Sequence, residues 1–344
     1  IRLATEEIDL DRTLFIVSSK SGTTIETISL YKMFYSLVKE RRGSAAGDQF
    51  CVITDAGSPL EKTARDNGFK YIFLNPADIG GRYSALSYFG LVPAVVMGLD
   101  IERLVENARR MATACGPTIP TAKNPAVWLG AAMYALAQRG ADKLTLVASP
   151  GIDTFGLWVE QLIAESVGKE GRGIVPVANL VPSEARDFDD DRFFVYLRLD
   201  GASDELDHQV DLLKHTGQPV VTLTIEDAYA LGGEFFRWEF ATAVLGYLLQ
   251  IDPFDQPNVG ESKAKTKALL DYLKEHGAAR REEPVLDEDG LQFYADPRTV
   301  ETLRRIGEQR GFHYGDLINL LLAHMAQARS GDYIALMAYL APTE

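Results

Sequence analysis

The sequence predicts an α/β protein with parallel sheets, arranged as two successive α/β units and a C-terminal α/β extension. Strand-like and helix-like runs alternate along most of the chain, which is the pattern of parallel strands joined by crossover helices. Two polar stretches interrupt that alternation, CGPTIPTAKNP at residues 115–125 and HGAARREEPVLDEDG at residues 276–290. We therefore expect units at residues 1–118 and 119–277 and an extension at residues 278–344.

The predicted strands are short runs rich in β-branched and aromatic residues. In chain order they are TLFIVSS near residue 13, FCVITD near 50, YIFLN near 71, KLTLVAS near 143, RFFVYLRL near 192 and PVVTLTI near 219. A further strand is expected where the Gly-rich segment GKEGRG leads into IVPV. The extension should hold a short strand near LQFYAD, two helices and a strand at DYIALMAYLA.

The composition is that of a globular protein with an excess of acidic residues. The 344 residues include 49 acidic and 35 basic ones, which gives a formal net charge of −14. No basic stripe balances this acidity, so nucleic acid is not an expected partner. No apolar run is long enough to cross a bilayer, so no membrane partner is expected. Two cysteines, Cys51 and Cys115, predict a reducing compartment such as the cytoplasm and no metal cluster.

The stretch FIVSSKSGTTIET, residues 15–27, joins a predicted strand to a predicted helix through a loop of hydroxyl residues. We expect the strand to be buried, and one face of the helix to carry its apolar residues, which are Ile28, Leu30, Tyr31, Phe34, Tyr35 and Leu37. The first amides of a helix lack intrahelical partners and the helix dipole favours an anion there. The loop is therefore either an anion site or a set of capping residues, and this stretch alone leaves both open.

The helix-like run TFGLWVEQLIAESVGK places three residues at helical spacing. Leu157, Gln161 and Glu165 stand at i, i+4 and i+8, so Gln161 and Glu165 should share a face with a core leucine. A carboxylate at this place is either a functional group or a solvated residue at the end of the helix.

Two cations also stand out beside turn-forming residues. Arg82 follows Gly80 and Gly81 in DIGGRYSALSYFG, and Arg is a natural partner for a phosphate or a developing oxyanion. Lys263 lies in the first turns of a helix after DPFDQP, where the helix dipole disfavours a positive charge. An exposed turn arginine and a lysine on a solvated face are the alternative interpretations.

Four of these stretches together resemble the phosphoglucose isomerase family. The four stretches occur in the same order as in that family; they are SSKSGTTIET, GGRYSALS, EQLIAESVGKEGRG and DPFDQPNVGESK. Their residues are most similar to those in the isomerase half of bifunctional transaldolase/phosphoglucose isomerases. The resemblance implies two sugar isomerase (SIS-type) three-layer α/β/α units with parallel sheets. It also implies that the chain is an enzyme, an aldose–ketose isomerase that interconverts glucose-6-phosphate and fructose-6-phosphate.

The resemblance assigns the Ser/Thr-rich loop to the phosphate of the sugar. Ser19, Ser21 and Thr24 should bind it through their hydroxyls, and the backbone at Lys20 and Thr23 should assist.

The same resemblance assigns the chemistry to four other residues. Glu165 is implied as the general base that carries a proton between C2 and C1 through a cis-enediol, and Gln161 should line the sugar. Arg82 should stabilise the enediolate, and Lys263 should act near the ring oxygen during ring opening. No metal and no organic cofactor is implied.

The chain departs from the family pattern at one place. Conventional members carry a catalytic histidine after the base, whereas this chain has VPSEARDFDDDRFF, with Arg186 near that position. The chain also starts at Ile1, close to a strand, so we expect it to be a piece of a longer protein. The resemblance suggests fusion to a transaldolase domain and assembly as a homodimer. A non-catalytic SIS-type sugar-phosphate-binding domain and an isomerase of another phosphosugar are the alternative functions.

Overall fold

The computed structural model describes residues 2–178, 188–202, 204–278, 283–311, 315–329, 332–335 and 337–338. By their contacts they form two compact units, Ile1–Gln256 and Pro257–Glu344. Both predicted α/β units thus fall mainly in the first compact unit, while the helix at residues 257–276, which we assigned to the second α/β unit, groups with the C-terminal segment. The boundaries at residues 118 and 277 stay predictions.

The first compact unit holds seven strands and nine helices among its described residues. Its strands are β1 (Phe15–Ser18), β2 (Phe50–Asp55), β3 (Tyr71–Asn75), β4 (Lys143–Ala148), β5 (Val175–Val177), β6 (Arg192–Leu199) and β7 (Val220–Ile225). Its helices are α1 (Arg2–Glu7), α2 (Ile25–Arg42), α3 (Pro59–Asp66), α4 (Tyr88–Val96), α5 (Ile101–Ala114), α6 (Pro125–Ala137), α7 (Phe155–Val167), α8 (Asp204–His215) and α9 (Leu231–Leu249). Every strand predicted for this part of the chain is present.

The first sheet is parallel, with the strand order β1–β2–β3. Phe50 and Val52 on one face of β2 form a core with Tyr31 of α2 and Leu60 of α3. Because β1 lies at the edge of this sheet, only Val17 among its apolar residues is buried. The helical face predicted for α2 is confirmed except at Leu30, which is exposed.

The second sheet is also parallel, with the order β5–β4–β6–β7, and helices cover both of its faces. On one face, β-strand residues such as Leu146 and Val195 pack in a large core with Trp238 of α9. On the other face, Phe194 and Tyr196 pack against Val210 of α8. The second unit therefore has the predicted three-layer α/β/α arrangement.

Helix α9 connects the two α/β units because it packs against α5 of the first and against α6 and α7 of the second. Gly232 makes the α5 contact possible, since a Cβ there would lie 1.9 Å from the carbonyl oxygen of Leu104. The Pro-rich stretch at residues 115–125 forms the connection between α5 and α6, as predicted. Asn124 caps α6 and donates to the carbonyl of Cys115 at 3.0 Å.

The C-terminal compact unit contains α10 (Pro257–His276), β8 (Leu286–Glu288), β9 (Leu291–Phe293), α11 (Pro297–Arg310) and α12 (Leu317–Met325). Strands β8 and β9 form an antiparallel pair, and Leu303, Leu320 and Ala323 form a small core. The strand near LQFYAD and the two helices are confirmed, whereas β8 was not predicted.

The prediction of a strand at DYIALMAYLA is wrong for the residues there that the structure describes, 332–335 and 337–338. The run is apolar, but Tyr333 and Met337 are exposed and no described strand pairs with the segment. None of the described helices combines the length and the apolar character that crossing a membrane requires.

Candidate active site

The Ser/Thr-rich loop lies between β1 and α2, at the carboxyl end of the first sheet. The hydroxyls of Ser19 and Thr24 are 2.9 Å apart, and those of Ser21 and Thr23 are also 2.9 Å apart. Thr24 is the N-cap residue of α2, yet its side chain makes no capping hydrogen bond. The capping interpretation therefore does not hold for Thr24, whereas the Ser21 hydroxyl accepts a 3.3 Å hydrogen bond from the backbone N–H of Thr23. The hydroxyls lie around the start of the helix, where first-turn amides lack intrahelical partners.

Lys20 ties this loop to the ends of the two neighbouring strands. Its ammonium forms an ion pair with Asp55 at the end of β2 and donates to the carbonyl of Ala77, after β3, at 2.8 Å. The Thr54 hydroxyl donates to the carbonyl of Ser19 at 2.7 Å. The Lys20 side chain is thus used within the protein, which leaves its backbone for the contact with a ligand that we expect.

Gly22 lets the loop pass close to α3. It has a φ of +66°, and a Cβ at this position would lie 2.8 Å from the Leu60 Cβ and backbone nitrogen. Both the left-handed backbone and the close approach require glycine here.

The Arg82 guanidinium is buried and held by acceptors from two other parts of the chain. Its Nε donates to the Ser166 hydroxyl at 3.0 Å, and its Nη2 donates to the carbonyls of Pro253 at 2.9 Å and Asp255 at 3.2 Å. The side chain is 3% exposed. The alternative of an exposed turn arginine is therefore excluded. The acceptors offset the cost of burying the guanidinium.

Glu165 lies at the open side of this arginine. Its Oε2 is 3.4 Å from Arg82 Nη1, its Oε1 accepts a 3.0 Å hydrogen bond from Gln161 Nε2, and its side chain is 38% exposed. Gln161 and Glu165 share a helical face as predicted. The prediction that Leu157 is a core residue on that face is wrong, since Leu157 is 52% exposed. The face opens to solvent, and a ligand can reach Glu165.

Tyr83 supports the same cluster, although no feature of the sequence singled it out. Its hydroxyl oxygen lies 3.2 Å from the Ser166 hydroxyl and 3.3 Å from the carbonyl of Pro253, and its single proton can be donated to either acceptor. Burial raises the pKa of Tyr83, and the nearby carboxylates of Glu239 and Asp252 add to the increase, against the opposing effects of the Ser166 hydrogen bond and Arg82. Tyr83 therefore remains a neutral phenol that can donate a hydrogen bond.

Sequence reasoning also missed Lys169, which follows the helix that carries Glu165. Its side chain is 5% exposed, and its ammonium forms an ion pair with Asp255 and donates to the carbonyls of Asp252 at 2.7 Å and Asp255 at 2.9 Å. Its place in ESVGKEGRG was visible, but a lysine beside glycines at the end of a helix normally indicates a solvated position.

The remaining predicted residue, Lys263, lies on α10 in the C-terminal compact unit, where its side chain is exposed. Arg186, near the position where conventional family members carry a catalytic histidine, lies outside the described residues. In the described part of the chain, no cluster of His, Cys, Asp and Glu has the composition of a metal site. Cys51 and Cys115 are free and buried, and burial raises the pKa of the Cys51 thiol to about 11.

Comparison with solved structures supports the fold. A hypothetical protein from Thermus thermophilus superposes with a TM-score of 0.72 and 24% identity over 78% of this chain and 74% of that one. A glucose-6-phosphate isomerase from Chlamydia trachomatis superposes with a TM-score of 0.66 and 20% identity over 80% of this chain and 62% of that one. The chain thus has the fold of an SIS-type α/β protein.

Sequence comparison is more specific. The phosphoglucose isomerase family model matches residues 1–175, just over half of the 344 residues. Glucose-6-phosphate isomerase from Enterococcus faecalis is 31% identical over 294 residues, and a probable glucose-6-phosphate isomerase from Methanococcus maripaludis is 29% identical over 291 residues. Each match covers 74% of this chain and 65% of the relative, so the chain spans less than two thirds of their length. The chain belongs to the phosphoglucose isomerase family.

Proposed function

We propose that the protein is an aldose–ketose isomerase that interconverts glucose-6-phosphate and fructose-6-phosphate through a cis-enediol. The observation that carries this proposal is the pairing of a carboxylate that is 38% exposed, Glu165, with the buried guanidinium of Arg82 at 3.4 Å. Family membership and the names of the relatives in Enterococcus faecalis and Methanococcus maripaludis support it.

In this mechanism Glu165 moves a proton between the two carbons that distinguish aldose from ketose. The carboxylate takes the proton from C2, so that the C1 carbonyl becomes an enediolate oxygen. A second proton passes from the hydroxyl on C2 to the oxygen on C1, and return of the first proton from the carboxyl group to C1 gives the ketose. Gln161 donates to Glu165 Oε1, which orients the carboxylate, while Oε2 makes a long contact to Arg82. The less engaged oxygen is the one suited to accept the substrate proton.

Arg82 supplies the positive charge that the enediolate needs. A carbon acid next to a carbonyl is weak, so its conjugate base forms readily only beside a fixed cation. A guanidinium cannot lose its proton at physiological pH, and this one is already oriented by its hydrogen bonds to Ser166, Pro253 and Asp255. Little reorganisation is therefore required when negative charge develops.

The phosphate of the sugar would be held at the start of α2. Ser19, Ser21 and Thr24 supply hydroxyls, and the backbone near Lys20 and Thr23 adds donors at a helix N-terminus. Lys263 would assist ring opening, a role that the family resemblance implies.

The proposal also includes a cytoplasmic location, in keeping with two free cysteines and no membrane-spanning helix in the described residues. Assembly as a homodimer and fusion to a transaldolase domain remain proposals that follow from the family resemblance.

The test is an isomerase assay in D₂O with glucose-6-phosphate, mannose-6-phosphate and one further phosphosugar as separate substrates. We expect fructose-6-phosphate to form from glucose-6-phosphate, with solvent deuterium at C1 from partial exchange of the enediol proton. Binding without interconversion or exchange would identify a sugar-phosphate-binding domain instead. Turnover of only another phosphosugar would assign a different isomerase.

A further inference from the structure

The position of Arg82 depends on a loop that follows α9. Two of the hydrogen bonds of its guanidinium go to backbone carbonyls in the segment 252–255, those of Pro253 and Asp255. A carbonyl can hold a guanidinium in place only if the loop that presents it is itself fixed. The question is therefore what holds residues 252–255.

Lys169 holds this segment at both ends. Its ammonium donates to the carbonyl of Asp252 at 2.7 Å and to that of Asp255 at 2.9 Å, and it forms an ion pair with the Asp255 carboxylate. An ammonium has three donor hydrogens, and these three acceptors use all of them. The Asp255 carbonyl accepts from Lys169 and from Arg82 at once.

Lys169 also ties the loop to the helix that carries Glu165. It follows α7 after a single residue, Gly168, and its side chain is 5% exposed. Burying an ammonium is costly unless its charge is paired and its hydrogens are bonded, so Lys169 needs all three acceptors. The same three contacts hold the loop in place. Lys169 therefore links α7 to the segment whose carbonyls hold Arg82, in addition to the direct hydrogen bond from Arg82 to Ser166 of α7.

We propose that Lys169 is a positioning residue, which fixes the segment 252–255 and through it the guanidinium of Arg82 relative to Glu165. It acts on the reaction through Arg82 and not by contact with the substrate. Its effect on turnover rests on the proposed isomerase function, but its effect on Arg82 does not.

The experiment compares Lys169→Met with Lys143→Met, a matched control. Lys143 is another buried lysine, which lies at the start of β4 and forms ion pairs with Asp142 and Asp191 rather than with Asp255. The first readout is the rate at which phenylglyoxal modifies Arg82, measured by peptide mass spectrometry. We expect modification at least ~10-fold faster in Lys169→Met, since hydrogen bonds to charged groups are each worth enough for such a factor, and the wild-type rate in Lys143→Met.

The second readout is kinetic. We expect kcat to fall at least ~10-fold in Lys169→Met while KM stays within about threefold, the pattern of a lost transition-state interaction. Adding Lys169→Met to Arg82→Met should lower kcat no further, because the lysine acts through the arginine. A merely structural lysine would give additive losses, and that result overturns the proposal.

The labelling readout keeps the two proposals separate. Faster modification of Arg82 in an enzyme that turns over no sugar phosphate would support the role of Lys169 and contradict the proposed function. Equal modification in wild type and Lys169→Met would overturn the role of Lys169 whatever the activity. If Lys169→Met does not fold, Asp255→Asn removes the same ion pair from the side of the half-exposed carboxylate. Modification of Arg82 at the wild-type rate in Asp255→Asn would then overturn the proposal.

Discussion

Arg82 Nη1 and Glu165 Oε2 lie 3.4 Å apart, although the residues are 83 positions apart in the chain. Arg82 belongs to the 3₁₀ turn Gly81–Tyr83 that follows the first sheet, and Glu165 belongs to α7 beside the second. Each α/β unit therefore contributes one of the two groups, and the packing of α9 against helices of both units holds them together. The proposed isomerase activity should depend on the integrity of this contact as much as on either residue.

The first prediction concerns the general base. Glu165→Gln keeps the size and the hydrogen bond to Gln161 but cannot accept a proton. We expect kcat for glucose-6-phosphate to fall at least ~10²-fold, the usual scale for a lost general base, with KM largely kept. Glu102→Gln, on an exposed carboxylate of α5, should turn over at the wild-type rate. An unchanged kcat in Glu165→Gln would remove Glu165 from the mechanism.

The second prediction concerns the phosphate site. Ser21→Ala and Thr24→Val remove exposed hydroxyls from the loop with little change in volume. We expect inorganic phosphate to become a weaker competitive inhibitor by at least ~10²-fold in the double variant, in line with the loss of two hydrogen bonds to a charged group. Ser29→Ala, on an exposed position of α2, is the control. An inhibition constant equal to that of the wild type would place the anion elsewhere.

The third prediction separates backbone strain from steric contact at Gly22. Gly22 and Gly68 have similar φ values, +66° and +63°, but a Cβ would meet Leu60 at Gly22 and would meet nothing within 4 Å at Gly68. Both alanine variants should lose about 1 kcal/mol from the left-handed backbone, and Gly22→Ala should lose at least about 1 kcal/mol more from the clash. Urea unfolding measures both. Equal losses would mean that α3 moves aside freely.

The fourth prediction concerns Lys263. If it serves ring opening, Lys263→Ala should lower turnover of cyclic glucose-6-phosphate while sparing deuterium exchange on an acyclic analogue, because we propose that the enediol step belongs to Glu165 and Arg82. Lys274→Ala, an exposed lysine in the last turn of the same helix, is the control. Equal losses on both substrates would give Lys263 a supporting role only, and no loss on either would make it an ordinary surface lysine.

The fifth prediction is a pH dependence of stability due to Glu239 of α9. Burial raises the pKa of this carboxyl to about 8, from a usual value of 4.5, and its Oε1 is buried with no hydrogen-bond partner among the described residues. Between these pH values the folded protein retains the proton that the unfolded chain loses. The free energy of unfolding should therefore fall as the pH rises from 4.5 to about 8. The fall is on the order of 5 kcal/mol at most.

Urea unfolding of Glu239→Gln between about pH 5 and about pH 9 tests this dependence. The variant carries a neutral side chain at every pH, so we expect it to match the wild type in acid and to be more stable by several kcal/mol at alkaline pH. Glu40→Gln, on an exposed carboxylate, should follow the wild type throughout. Parallel curves for Glu239→Gln and wild type would show that Glu239 ionises normally in the folded state.

Local patterns in the sequence were enough to predict the strands of the first compact unit and their arrangement in parallel sheets, but not the order of the strands. Strands such as FCVITD and RFFVYLRL are continuous apolar runs, which is what burial on both faces of a parallel sheet requires, and β2 and β6 lie inside their sheets. The loop at Ser19–Thr24 and the shared face of Gln161 and Glu165 also followed from local spacing. Local rules sufficed because strand periodicity, helix periodicity and turn residues act over a few neighbours.

Only the packing of the folded chain decides which of these residues are buried and which groups they contact. Leu157 has the spacing of a core residue but is exposed, whereas Lys169 has the sequence context of a surface residue but is almost fully buried. The strand predicted at DYIALMAYLA is wrong because an apolar run becomes a strand only when another strand lies beside it, and none does among the described residues. The partners of Arg82 come from residues 165, 166, 253 and 255. Such contacts depend on how distant elements pack, and the spacing of residues along one element does not contain that information.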